Sequence, residues 1–249
     1  MAQHIAEFFH AAGFLILEGY GLTETTAAVT VNREENYKFG SVGLPLGEAK
    51  IKIASDGEIL VKSKKVFKKY HNLPQETAEV FDNGWFKTGD IGEIGSDGIL
   101  KITDRKKEII VTAGGKNVAP QKIENLIKSD PIISQIMVHG DRRNYLTALI
   151  TLNPDEVRKI ASGLSLRIED YSALIRHPKI VRYVEAKIAQ KNKELPSFET
   201  IKKFHLLEQD FTIETGELTP SLKVKCKFCT QKYRDVLDSM YDNNATAHI

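Results

Sequence analysis

Four short segments combine residue types that can handle a nucleotide. In GYGLTETT, residues 19–26, two glycines flank an aromatic ring, and a hydroxyl and a carboxylate follow close behind. Glycine lets backbone approach a ligand closely. Tyr20 can stack on a flat base, and Thr23 can hydrogen-bond a phosphate oxygen. Glu24 is a hard oxygen ligand of the kind Mg²⁺ prefers. In GWFKTGDIG, residues 84–92, Asp90 is suited to accept hydrogen bonds from two ribose hydroxyls. In TDRKKEIIVTAGGKNVAP, residues 103–120, Arg105 offers a planar fork of donors, and Gly114-Gly115 permits close backbone approach. In GELTPSLKVK, residues 216–225, Lys223 follows a turn and is expected at the start of a helix. Each segment also has a plainer reading. These are a strand-to-loop turn with a packed Tyr, a Gly-Asp β-turn, a solvated charge run and a surface lysine.

These side chains must be positioned by regular elements, and the hydrophobic pattern shows which. Residues 3–12 carry Ile5, Phe8, Phe9 and Ala12 on one side of a helix, and FLILEGYG reads as a short strand entering a Gly-rich turn. From Gly40 to Thr103, short apolar runs alternate with Gly, Asp, Asn and Pro. SDGEI and SDGIL place Asp-Gly between strand-like runs, a hairpin signal. This section predicts a small antiparallel β-unit. After Asp104 the pattern changes. EIIVTAGGKNVAP predicts two short strands around a Gly-Gly turn, and Pro120 opens a helix through QKIENLIKSD. ISQIMVHGD and YLTALITLN predict paired strands. Helices are expected over DEVRKIAS, over about 165–195 and from near Leu222, with a strand at FHLLEQDF. The fold class is therefore mixed, α/β and α+β, with a boundary near DRKK: residues 1–105 form one part and residues 106–249 a compact α+β domain.

Bulk properties narrow the function. The 249 residues are 41% hydrophobic, enough for a core, with a net charge of +2. That near-neutral balance argues against a dedicated nucleic-acid binder. No apolar run has the length of a membrane span, and His4, Glu7 and His10 interrupt the apolar N-terminal stretch, so a cytoplasmic chain is expected. Cys226 and Cys229 are too few for a disulfide framework. A lone Cys-x-x-Cys is weak support for zinc, and two ordinary reduced thiols are the expectation.

In order and spacing, GYGLTE, TGD, DRKK and GELTP-x-LK together resemble the adenylate-forming (AMP-binding) superfamily, which includes acyl-CoA synthetases, peptide adenylation domains and luciferase. The resemblance covers essentially the whole chain. EGYGLTETTAAVTVN, LKITDRKKEIIVTAGGKNVAPQKIEN and GELTPSLKVK look most like long-chain fatty acyl-CoA synthetases. Other branches usually show Gly-Arg where this chain has Asp104-Arg105.

The resemblance implies an ATP-dependent ligase. A fatty-acid carboxylate attacks the α-phosphate of ATP, and the thiol of coenzyme A then displaces AMP from the acyl-AMP. By the family pattern, Gly19, Tyr20, Gly21 and Thr23 hold the nucleotide, with Tyr20 on adenine and Thr23 on the α-phosphate. Glu24 holds Mg²⁺, and Asp90 and Arg105 hold the ribose. Lys107 is a hinge, Gly115 lines the pantetheine path, and Lys223 is the adenylation lysine. A long-chain fatty acid, ATP and coenzyme A are the expected partners, with peripheral membrane contact through the lipid substrate.

The family's Ser/Thr/Gly-rich phosphate loop, which lies upstream of GYGLTE, has no counterpart here, and MAQHIAEFFHAAG matches a stretch that is internal in the family. The chain is therefore expected to be a C-terminal portion, a remnant of the large N-terminal domain followed by the mobile C-terminal domain, and inactive by itself. The alternatives are a non-catalytic remnant and an acyl-adenylate ligase that delivers to a carrier protein.

Overall fold

The computed structural model describes residues 3–242, and the chain divides into two compact units, Met1–Glu108 and Ile109–Ile249. No helix among the described residues is long and apolar enough to cross a membrane.

The first unit opens with α1 (Gln3–Ala11) and then carries β1 (Gly19–Gly21), β2 (Ala28–Val31) and β3 (Leu44–Pro45), paired antiparallel in that order. A larger antiparallel sheet follows, from β4 (Lys50–Ile53), β5 (Glu58–Lys62), β6 (Phe81–Asp82), β7 (Trp85–Ile94) and β8 (Leu100–Arg105), with α2 (Pro74–Glu79) before β6. The order is β4-β5-β7-β6, and β8 pairs with the second half of β7. Both Asp-Gly hairpins form where the sequence places them, between β4 and β5 and between β7 and β8. Strand alternation sends Ile51, Ile59, Val61 and Phe86 into a core shared with Tyr20, Val29 and Leu100.

One expected strand is absent. Residues 14–18 have no strand pairing, and the strand is confined to Gly19–Gly21. An apolar run becomes a strand only when a neighbour accepts its hydrogen bonds. Here Phe14, Leu15 and Leu17 remain exposed, along with Phe8 on α1.

The second unit begins with a two-stranded pair, β9 (Ile110–Val111) and β10 (Asn117–Val118), and then α3 (Pro120–Lys128). Its centre is a three-stranded sheet of β11 (Ile133–His139), β12 (Leu146–Leu152) and β13 (Ile201–Leu207). β12 lies antiparallel to β11 and parallel to β13. Between β12 and β13 run α4 (Pro154–Gly163), α5 (Tyr171–Ile175) and α6 (Pro178–Asn192); α7 (Cys226–Lys232) and α8 (Arg234–Ser239) close the unit. Asn153 caps α4 by accepting from the amide of Asp155 at 3.0 Å, with Pro154 at the first helical position.

All seven residues of β12 are buried because helices cover both of its faces. Leu146, Ala148, Ile150 and Leu152 pack in the core that includes α3, α4 and α6 residues, whereas Leu149 packs with Cys229 and Leu237 of α7 and α8.

The expected helical region over 165–195 consists of two helices, separated at His177-Pro178, as the constraint on a residue before proline requires. The closing helical segment starts at Cys226, with α7, and not near Leu222. Leu222 has φ +59°, and Leu218 bridges Val224, so the chain turns back on itself before any helix can begin.

Ile150 is fully buried at the middle of β12. Ile150→Ala is expected to cost about 2–5 kcal/mol of stability. Urea unfolding of the two proteins measures this, and a difference near zero would contradict the two-sided burial.

Candidate functional site

The first unit contains a cavity of about 640 Å³ lined by Gly19, Tyr20, Gly21, Thr23, Glu24 and Arg105, with Leu22 and residues 26–28 completing the wall. Six of the residues singled out in the sequence therefore meet around one space. β1 brings Tyr20 opposite Thr30 of β2, and the chain then bulges at Gly21. A Cβ on Gly21 would lie 2.4 Å from the Ala27 carbonyl oxygen, so only glycine allows this approach. The turn Thr23–Thr25 follows. Thr25 stabilises it by accepting from the Leu22 amide at 2.8 Å, which presents Thr23 exposed and Glu24 half-exposed.

Asp90 joins this group from β7. It is 5% exposed, and the Tyr20 hydroxyl donates to its Oδ2 at 2.5 Å. In the β7–β8 register Asp90 is paired with Arg105, whose Nε lies 3.2 Å from Oδ1. Burial and the Asp90 carboxylate both raise the Tyr20 pKa well above the usual phenol value, so Tyr20 remains a neutral donor. The Arg105 side chain is largely exposed and can serve a ligand as well as Asp90. Glu24 accepts from the Tyr70 hydroxyl at 3.0 Å through Oε1, and its carbonyl accepts from the Phe67 amide at 2.7 Å.

A second layer was not legible in the sequence. Glu58, 4% exposed, accepts from the Gly89 amide at 2.9 Å and from Lys106 Nζ at 2.8 Å. Lys106 also pairs with Asp56 at 2.7 Å. The Thr88 hydroxyl accepts from the Asp90 amide at 3.1 Å and donates to the Ile59 carbonyl at 2.8 Å. These bonds hold Gly89, at φ +72°, and Asp90 in place. Glu58 sits in an ordinary hairpin motif, so no local pattern marks it.

Lys107 is exposed in the turn that follows β8, one residue before the end of the first unit. Gly115, in the second unit, adopts φ +72° in a turn closed by its amide donating to Thr112 O at 2.8 Å, and nothing lies within 4 Å of the position a Cβ would take.

Lys223 is exposed on the return arm of a small turned-back segment, not on a helix. The Lys223 amide donates to the Thr219 hydroxyl at 3.0 Å, and its carbonyl accepts from the Thr219 amide at 2.8 Å. Glu217, 1% exposed, anchors the base of this segment. It accepts from Lys232 Nζ at 2.5 Å, from the Tyr233 hydroxyl at 2.9 Å and from the Thr215 hydroxyl, and its carbonyl accepts from the Lys225 amide. Burial alone would raise its pKa. The Lys232 ammonium and the two hydroxyls outweigh that and hold it down at about 2. Cys229 is wholly buried, and burial pushes its thiol up to about 11. Cys226 is half-buried at the start of α7.

Comparison with known proteins gives a consistent pattern. The family model described as AMP-binding enzyme C-terminal domain matches residues 107–245, and the model described as AMP-binding enzyme matches residues 1–71. The chain is 40% identical over 246 residues to a long-chain-fatty-acid–CoA ligase, FadD15, of Mycobacterium bovis, covering 97% of this chain and 40% of that protein. It is 32% identical to the long-chain-fatty-acid–CoA ligase ACSBG1 of Rattus norvegicus over 97% of this chain and 37% of that one. Among solved structures, the A domain of a carboxylic acid reductase from Segniliparus rugosus, in complex with AMP and a carboxylic acid, superposes with a TM-score of 0.76. Its identity is 25%, over 98% of this chain and 38% of that one. O-succinylbenzoate coenzyme A synthetase from Bacillus subtilis, in complex with ATP and magnesium, gives 0.67 at 25% identity, over 91% and 44%. The chain thus spans about two fifths of the length of the curated relatives it matches.

The charge of Glu217 should be visible in stability. Its folded pKa lies below the ordinary 4.5, so its contribution is present above that pH and is lost as pH falls toward 2. Glu217→Gln is expected to lower the urea midpoint at pH 7, with the gap narrowing below pH 4.5. A gap that does not change with pH would refute the assignment.

Proposed function

This chain belongs to the AMP-binding enzyme family, and from that premise we propose that the protein of which it is part is a long-chain fatty acid–CoA ligase. The observation that carries the reading is the Tyr20–Asp90–Arg105 group at a cavity whose other walls are the backbone of Gly19–Gly21 and the side chains of Thr23 and Glu24. In the proposed reaction a carboxylate oxygen attacks the α-phosphate of ATP. The bond to the bridging oxygen breaks, and pyrophosphate leaves with the electron pair. The thiol sulfur of coenzyme A then attacks the acyl carbon, AMP departs, and a thioester remains.

The chain's own residues take roles in that scheme. Tyr20, held by Asp90, offers its ring to adenine. Asp90 and Arg105 accept from and donate to the ribose. Thr23 contacts the α-phosphate, Lys107 serves as hinge, and Gly115 leaves room for the pantetheine arm. Glu24 fits a magnesium ion held mostly by substrate phosphates and water, because it is a single carboxylate with one oxygen already used by Tyr70. Magnesium bound there would neutralise phosphate charge. A fatty substrate that partitions into bilayers also gives the whole protein reason for peripheral membrane contact.

Delivery of the acyl group to a carrier protein is a second reading. The likeness to an A-PCP didomain of carboxylic acid reductase, at 26% identity and a TM-score of 0.71, favours keeping it. Coenzyme A and a carrier protein offered to the complete enzyme would separate the two.

For nucleotide binding, Asp90→Ala should weaken AMP binding to the full chain about 10- to 100-fold, the value of a lost charge-assisted hydrogen bond. Calorimetric titration reads this. Wild-type affinity in Asp90→Ala would remove Asp90 from the ribose site.

For Lys223 the test belongs to the complete enzyme. A lysine facing developing negative charge in a dry site is worth roughly 10²–10³ in rate. Lys223→Ala should therefore cripple acyl-AMP formation, yet leave thioester formation from supplied acyl-AMP largely intact, because domain rotation withdraws the lysine between steps. Equal losses in both half-reactions would sink the alternation role, and no loss in either would make Lys223 an ordinary surface residue.

A further inference from the structure

We propose that the outer face of the β4–β5–β7 sheet is a docking surface for a bilayer that carries anionic lipid. The face is defined by strand register. Lys50 lies opposite Lys62, and Lys52 opposite Leu60, across β4 and β5. Leu60 lies opposite Lys87 across β5 and β7, and the same register brings Trp85 beside Lys62. Cross-strand partners share a face, so Lys50, Lys52, Lys62, Lys87 and Trp85 form one surface. Ile51, Val61 and Phe86 point the other way, into the core.

Contacts within the face agree with that assignment. Lys52 Nζ lies 4.4 Å from the centre of the Trp85 ring, and Lys62 Nζ lies 6.0 Å from it. Lys50 and Lys62 are like charges placed directly across a strand pair, an arrangement that works against the sheet unless an anion relieves it. The chain leaves β5 through SKKVFKKY, in which Lys64, Lys65, Lys68 and Lys69 are exposed, and Lys65 Nζ donates to the Ala28 carbonyl at 3.2 Å on the side of the cavity.

The charge is local. Residues 50–87 hold eight lysines and five carboxylates, and two of those carboxylates, Asp56 and Glu58, are tied to Lys106. Among the described residues no carboxylate pairs with Lys50, Lys52, Lys62, Lys68 or Lys69, whereas Lys64 pairs with Glu48. Asp82, opposite Trp85 in register, is the carboxylate nearest the ring along the strands. The whole chain carries only +2, and of these eight lysines the strand register places Lys50, Lys52, Lys62 and Lys87 on the one face.

Three properties favour a bilayer over a soluble anion. The lysines are spread across neighbouring strands of a sheet face, which suits a layer of headgroups better than one phosphate. They are flexible point charges, which gain from a diffuse negative potential without fixed geometry. A half-buried Trp at the centre has the amphipathic character that places such rings at headgroup level. The inference does not depend on the ligase reading, since its test measures binding and not turnover.

Trp85 is the sole tryptophan of the chain, so its emission reports this face alone. The full chain would be titrated with vesicles of phosphatidylcholine, with and without phosphatidylserine, and with brominated lipid as quencher. The expected result is a blue shift and quenching only with phosphatidylserine present, both weakened by salt. The triple variant Lys50→Gln/Lys52→Gln/Lys62→Gln should bind about fivefold more weakly per lysine removed, the equivalent of about 1 kcal/mol each. A control triple at exposed Lys179, Lys202 and Lys227 should bind like wild type.

Several results would overturn the proposal. One is equal binding to neutral vesicles, which would point to the apolar residues around Phe8 and Phe14. Another is co-sedimentation with phosphatidylserine vesicles without quenching of Trp85. A third is a Trp85 response to single-stranded RNA or tripolyphosphate in place of vesicles. The wild-type quenching result decides the question even if the triple variant fails to fold.

Discussion

The Asp90 carboxylate is almost wholly out of water, and its neighbours compensate for that. A buried charge left unpaired costs several kcal/mol, so the fold must supply partners. The Tyr20 hydroxyl comes from β1 and the Arg105 guanidinium from β8, with seventy residues separating Tyr20 from Asp90. The cavity exists because those strands must converge on one carboxylate. Arg105 is exposed enough to turn toward a ligand, while Tyr20 stays protonated and fixed. The group is therefore fixed before any ligand arrives, as the ribose role proposed for it requires.

The second unit repeats the device for a different purpose. Glu217 is a buried carboxylate with three side-chain donors, and its backbone closes the segment that presents Lys223. Lys223 itself is exposed, and its bonds to Thr219 are made by its own backbone, which leaves the side chain available for the role proposed for it. Rigidity is placed in Glu217 and freedom in the lysine six residues on. In each unit a buried acid sets the geometry, and an exposed base meets the substrate in the proposed scheme.

Much of this was legible in the chain. The hairpins at Asp56-Gly57 and Asp97-Gly98, the strands β11 and β12, and the helix opened by Pro120 all follow from local signals whose physics needs no partner. The motif order also pointed to the family, since a joint pattern of four segments is far more specific than any one. Errors arose where a neighbour decides. Residues 14–18 are apolar enough for a strand but pair with no neighbouring strand among the described residues. The helix expected at Leu222 is displaced to Cys226 because the Leu218–Val224 bridge and the bonds of Thr219 and Lys225 claim the backbone first.

What the sequence determined by itself, then, was the local conformational menu and the identity of the polar groups available for chemistry, because propensity and turn chemistry act over a few residues. Tertiary structure alone decided which of those groups would be buried and against what. Glu58 and Glu217 look like surface acids in the chain and are among its most buried, while Lys50, Lys52 and Lys62 read as scattered charges and share one face. Burial and cross-strand register depend on contacts between residues distant in sequence, and no local pattern encodes the desolvation that makes a carboxylate an anchor or a set of lysines a surface.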